Sequence, residues 1–222
     1  MNDAVDQGDW IMILNVEDFR HLFEEWSRVM DKNKDYLIKL DQVAGDGDLG
    51  LSMSDGFHAM KEEAENSSIE DIGILLYNAG KTMNSKASSS LGTLISSGFI
   101  EAGKVFKGKT EISGCEIGTF LNAFQKGIIN RGKAKVGEKT FLDGFDPAVR
   151  IMTANHSEEK VGIELRKAAE AAQEGSASTV GMLACWGRAA RRGEDSRQIL
   201  DPGSVVAALL ITSLSKYVNE KQ

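Results

Sequence analysis

Apolar side chains at Phe19, Leu22, Phe23, Trp26, Val29 and Met30 recur at the i, i+3, i+4, i+7 spacing that gathers one helical face, and they predict a helix over about 17–31. The same rhythm returns at Ile72, Leu75, Leu76, Ala79 and Met83, at Leu94, Ile95, Phe99, Ala102 and Phe106, and at Ile117, Phe120, Leu121, Phe124 and Ile128. Further helices are expected over 50–65, 142–153 and 203–219, the last with Val206, Leu210, Leu214 and Tyr217 on one side. Only residues 10–14 look strand-like, and a lone apolar run cannot build a sheet. The fold class is therefore all-α, with an eight-helix antiparallel up-down bundle or barrel as the expected architecture.

The stretch 158–190 turns on Gly175. Leu165, Ala169, Ala172, Ser176, Thr179, Leu183, Gly187 and Ala190 keep one phase across it, and a glycine inside a helix costs only about 1 kcal/mol. One long helix is the expectation. With eight helices packed up and down, the connections near 32–49, 85–91, 130–141 and 191–202 then emerge at the same end. Nearly every chemically suggestive residue falls in them.

Composition narrows the class. The chain has 222 residues, 41% hydrophobic and 27% charged, which suits one core, so residues 1–222 are read as a single domain with 1–15 as an N-terminal extension. Cys115 and Cys185 show no CxxC spacing, and the N-terminus lacks the basic start of a signal peptide, so a cytoplasmic protein is expected. No apolar stretch approaches the roughly 20 residues of a membrane span. A net charge of -7 disfavours nucleic-acid binding while leaving room for a small anion held through metal. His21, His58 and His156 pair with no nucleophile in sequence and are assigned to the surface.

The chemistry concentrates in LDQVAGDGDLGLS, with carboxylates at Asp41, Asp46 and Asp48. Two unit charges about 4 Å apart repel by about 4 kcal/mol at an effective dielectric of about 20, so packing three together calls for a cation, and magnesium takes oxygen ligands. Gly45, Gly47 and Gly50 permit tight turns and close approach, and the helix that follows offers free N–H groups to an anion. Taken alone, the string also reads as a solvated Asp/Gly turn. An EF-hand is the weaker alternative, because the alternating ligands and the Glu at the twelfth position are missing. Neither a Walker-type loop nor a Rossmann fingerprint is present.

At this point the chain resembles the L subunit of dihydroxyacetone kinase, equivalent to the C-terminal domain of the single-chain kinases. The resemblance runs through the three aspartates, SSSLGTL at 88–94, VGEKTFLD at 136–143, GRAARRGEDS at 187–196 and DPGS at 201–204, in that order. It implies an eight-helix up-down barrel with ADP or ATP at one end, held by two Mg2+ on Asp41, Asp46 and Asp48. By position, Leu49, Gly50, Leu51 and Ser52 would line the phosphates with Ser90 and Leu91 opposite. Gly132 and Phe141 would flank the base, and Asp201, Pro202 and Gly203 would close the site. Arg188 would approach the phosphates as the catalytic cation, since a guanidinium donates paired hydrogen bonds and stays charged. Asp143 and Glu194 lie in matching motifs and receive no chemistry.

Two departures stand out. Ser88, Ser89, Leu91 and Gly92 replace the usual Gly-Gly and Ser-Gly pairs, and Leu49 stands where many members carry histidine. The resemblance also implies a K-type subunit that holds the ketose, because all the motifs serve the nucleotide. A phosphocarrier protein of a sugar phosphotransferase system and a second copy of the chain are further partners left open. A regulatory ADP-binding module contacting a transcription factor, and a kinase subunit for another acceptor such as a tetrulose or a protein-bound fatty acid, are the alternatives.

Overall fold

The computed structural model describes residues 11–221. Strand β1 (Ile13–Asn15) leads into helix α1 (Val16–Lys32). A short α2 (Lys34–Gln42) follows, then α3 (Leu49–Glu65), α4 (Ile72–Lys86) and α5 (Ser90–Val105). After β2 (Glu111–Ser113) come α6 (Glu116–Gly132), α7 (Phe141–Ala154), α8 (Val161–Ala177) and α9 (Pro202–Lys221). Turns of 3-10 helix occupy Glu158–Lys160 and Ala189–Gln198. None of the helices among these residues is long and apolar enough on its own to cross a membrane.

Local chemistry fixes the starts. Asn15 and Asp18 form a reciprocal capping box at α1, with Asp18 N donating to Asn15 Oδ1 at 3.1 Å and Asn15 N to Asp18 Oδ2 at 2.7 Å. Thr140 and Asp143 do the same for α7, while Asp71 caps α4 and Ser89 caps α5 through single bonds to Ile74 N and Gly92 N.

The apolar faces meet in one aromatic-rich core. Phe23, Trp26, Phe57 and Phe99 pack edge to face or tilted, and Phe99 meets Phe124 with ring centroids 4.9 Å apart. Helices α1 and α3 to α9 each pack on the next in chain order, and α9 returns to α1. The closing seam is polar as well as apolar. Trp26 Nε1 donates to Leu210 O at 3.1 Å, Tyr217 Oη donates to Asp18 Oδ1 at 2.8 Å, and Lys221 forms an ion pair with the same carboxylate.

Three expectations need correction. Nine α-helices rather than eight occur among the described residues, because α2 forms inside the 32–49 connection. Residues 158–190 are not one helix: α8 stops at Ala177. Gly175 is not the cause, since it lies within α8, where a Cβ would sit 2.3 Å from Asp143 O of α7. The helix fails just beyond it. Ser178 Oγ donates to Gly175 O at 2.7 Å and Thr179 Oγ1 to Ser176 O at 2.7 Å, side-chain bonds that compete with helix continuation, and Gly181 turns with φ +96. Finally, the lone strand is not lone. Residues 13–15 pair antiparallel with 111–113 in register Leu14 to Ile112, so the proposed extension 1–15 contributes its last residues to the fold. Its first ten residues lie outside the described part.

Candidate metal and anion site

Helix α2, too short to announce itself, carries Asp41 into the site. Its carboxylate accepts from Gly47 N at 2.9 Å and from Leu49 N at 3.4 Å, so it pins the turn that presents Asp46 and Asp48. Asp48 immediately precedes α3. The three side chains each offer an oxygen, and those oxygens all lie within 4.8 Å of one another. Gly50 allows this convergence: a Cβ there would sit 2.2 Å from Lys34 O and 2.7 Å from Ile38 Cγ1, so α3 presses its first turn directly on α2.

The acids are not equivalent. Arg188 forms an ion pair with Asp46, and that contact holds the Asp46 carboxyl below the usual range. Asp48 moves the other way, raised first by burial and then by the charges of Asp46 and Asp41. A site with one tethered cation and residual repulsion among hard oxygen donors fits a divalent ion of the magnesium type.

Other expected residues gather around this cluster to different degrees. In the first turn of α3, Leu49, Gly50 and Ser52 are buried and Leu51 is exposed. Ser52 Oγ donates to Ser89 Oγ at 2.6 Å, and Ser89 accepts from Gly92 N at 3.1 Å. These bonds tie the N-termini of α3 and α5 together and bring exposed Ser90 and half-buried Leu91 to the same end. Gly132 closes α6 beside Leu94. Phe141 starts α7 but is only 3% exposed and stacks on Phe145, so its ring belongs to the core.

Asp201, Pro202 and Gly203 open α9, with Asp201 Oδ2 accepting from Ser204 N at 2.7 Å. Burial pushes the Asp201 carboxyl up to about 7, against the pull of nearby Lys139. Asp143 acts structurally, accepting from Thr140 N at 2.6 Å and from Gly137 N. Glu194 pairs with Arg197 at 2.7 Å on the surface. All three histidines are exposed, as expected.

Sequence reasoning missed Lys139. It is 3% exposed, adopts φ 61, and its Nζ donates to Thr179 O and Ile199 O. A lysine inside a Gly/Glu/Thr turn carries no sequence mark of burial; the only available signal was its place in the 136–143 motif.

Comparison with known proteins identifies the family. The family model described as the DAK2 domain matches residues 43–216. The chain is 32% identical over 204 residues to the PEP-dependent dihydroxyacetone kinase 2, ADP-binding subunit DhaL, of Listeria innocua, covering 90% of this chain and 94% of that one. It is 30% identical to the ADP-binding subunit DhaL of the PEP-dependent dihydroxyacetone kinase of Escherichia coli, covering 86% and 92%. In fold it resembles the crystal structure of the dihydroxyacetone kinase from C. freundii in complex with AMP-PNP and Mg2+, with a TM-score of 0.70 at 19% identity over 97% of this chain and 36% of that chain. The chain thus belongs to the DAK2 domain family, with the DhaL ADP-binding subunits of dihydroxyacetone kinases among its relatives.

Proposed function

We propose that this protein is the nucleotide-binding phosphotransfer subunit of a dihydroxyacetone-type kinase, working in the cytoplasm beside a separate K-type subunit that holds a short ketose. The observation that carries the reading is the convergence of Asp41, Asp46 and Asp48 with Arg188. The relatives' ADP-binding role supports it. In this reading the whole chain is one domain, and its eight longer helices make an antiparallel up-down barrel whose site end is formed by the connections after α1, α4, α6 and α8.

Asp41, Asp46 and Asp48 would hold two Mg2+ on the phosphates of ADP or ATP; the ions neutralise phosphate charge when bound. The chain's own residues do the rest. Backbone N–H groups in the first turns of α3 and α5, those of Gly50, Leu51, Ser90 and Leu91, would face the anion, with Leu49 and Ser52 lining it beside them. Arg188 supplies a forked donor for oxygens that gain charge during transfer. Gly132 leaves room beside the base, Phe141 forms the core floor beneath it, and Asp201 to Gly203 close the rim.

Partner docking has support on the same loops. Val43, Leu51, Val136, Val180 and Trp186 are large apolar side chains left exposed there, at 43–52%. A surface of this kind suits a protein partner that completes the site and shields transfer from water. Native mass spectrometry with and without chelator tests the core of the reading. Nucleotide and two metals should travel with the chain and leave with the chelator; a chain that takes up neither Mg2+ nor ADP refutes it.

A further inference from the structure

Arg188 lies in the long connection between α8 and α9, and that connection is clasped at its neck. Gly181 N donates to Arg197 O at 2.7 Å, and Arg197 Nη1 returns a bond to Gly181 O at 2.7 Å. Ala184 N donates to Ser196 Oγ at 3.0 Å, and Asp201 N to Thr179 Oγ1 at 3.0 Å. These bonds close the loop on itself. They do not say where the closed loop points.

Lys139 supplies that. It belongs to the turn before α7, and its ammonium reaches across to the carbonyls of Thr179 and Ile199, one on each side of the neck. A second seam runs beside it: Cys185 N donates to Glu138 O at 3.3 Å, and Trp186 Nε1 donates to the Glu138 carboxylate. Arg188 follows two residues beyond Trp186 and reaches Asp46.

Burying an ammonium is unfavourable unless its donors are satisfied and countercharge is near, and here two carbonyls and the nearby Asp143 carboxylate meet that need. The residue also holds a left-handed backbone that disfavours a side chain. Closing the loop alone required neither, since Arg197 and Ser196 already do so.

We propose that Lys139 is a positioning residue that acts through Arg188: by gathering Thr179 O and Ile199 O it docks the clasped loop on the α7 turn and aims the guanidinium at the acid cluster. The proposal rests on the reading that Arg188 serves a metal-bound nucleotide. Its test compares the full chain with Lys139→Met, Arg188→Ala and the double variant, by Mg2+-dependent ADP calorimetry and by tryptic cleavage at Arg191 and Arg192, both exposed.

Each single change should weaken Mg2+-dependent ADP binding by about tenfold, and the double variant should fall no further than about twofold below the weaker single, because the two act on one interaction. Lys139→Met should also speed cleavage at Arg191 and Arg192 by about tenfold while other sites change less than about twofold, the mark of a loop released from an intact fold. Additive affinity losses, unchanged loop cleavage, or an equal rise at every site would overturn the proposal. If Lys139→Met does not fold, Lys139→Gln takes its place: its shorter amide keeps a donor but cannot span both carbonyls, and it should show the same two changes at about threefold. No change in either readout refutes the docking role. Should the wild-type chain bind no ADP, the functional reading falls, while the cleavage comparison still decides whether Lys139 holds the loop.

Discussion

Replacing Gly50 with alanine should separate Asp41 from Asp48 without touching either. The added methyl would sit 2.2 Å from Lys34 O, and an ordinary contact begins near 3.4 Å, so α2 and the first turn of α3 must part by about 1 Å. Overpacking of this kind costs about 1–3 kcal/mol, which for a chain of this length is a drop of roughly 2–12 °C in Tm. Magnesium demands oxygen ligands at about 2.0–2.1 Å in near-octahedral order, so a 1 Å displacement, roughly, of one carboxylate should weaken Mg2+-dependent ADP binding by at least about tenfold. Gly118→Ala is the control. Its methyl would meet Met152 O at 2.3 Å between α6 and α7, a similar clash at the other end of the helices. Calorimetric melting in chelator and isothermal titration with Mg2+ and ADP should show both variants destabilised but only Gly50→Ala impaired in binding. Equal affinity losses would refute the argument that close packing of α2 on α3 sets the metal site.

Asp46→Ala should abolish Mg2+-dependent ADP binding with little change in Tm, because the Asp46 and Arg188 side chains are about half exposed and an ion pair of that kind adds little to stability; retained affinity in titration calorimetry would count against the metal assignment. The raised Asp201 carboxyl, at about 7, gives a signed pH dependence: from about pH 4 to about pH 7 the folded chain keeps a proton that the unfolded chain releases, so this group's contribution to stability falls as pH rises. Asp201→Asn, which can still cap α9, should therefore gain Tm relative to wild type between about pH 5 and about pH 8, and parallel melting curves across that range would exclude it. Mixed with Mg2+, dihydroxyacetone and either ATP or a phosphocarrier system, the chain alone should give no turnover, and activity should appear when a K-type subunit is added. Turnover by the chain alone would reveal an acceptor site of its own, and silence with each K-type partner would favour a regulatory module.

The long helices were legible because burial writes a period into them. Phe19, Leu22, Phe23, Trp26 and Met30 lie on the buried face of α1, and the expected span of about 17–31 differs from Val16–Lys32 only at the ends. Short elements write no such period. In α2 only Leu37 is buried, and β1 and β2 are three residues each, joined by a pairing across nearly 100 positions that no local pattern encodes.

The 158–190 stretch misled for a different reason: Thr179 and Leu183 kept helical phase while Ser178, Thr179 and Gly181 supplied bonds and a turn that end a helix. The acid cluster was legible from spacing. Its pairing with Arg188 was not, since it depends on a loop whose position is set by a buried lysine from another turn.

The seam between α1 and α9 carries a kinetic consequence. Trp26 to Leu210, Asp18 to Tyr217 and Asp18 to Lys221 join residues 184, 199 and 203 positions apart, so the ring is sealed by contacts that span almost the entire chain. Contacts of such separation form late, because chain entropy must be surrendered before they return any stabilisation. Asp201 caps the very helix that makes them. On the ribosome, therefore, the acid loop and the first helices emerge early, but the rim of the site cannot set until α9 has emerged and has found α1.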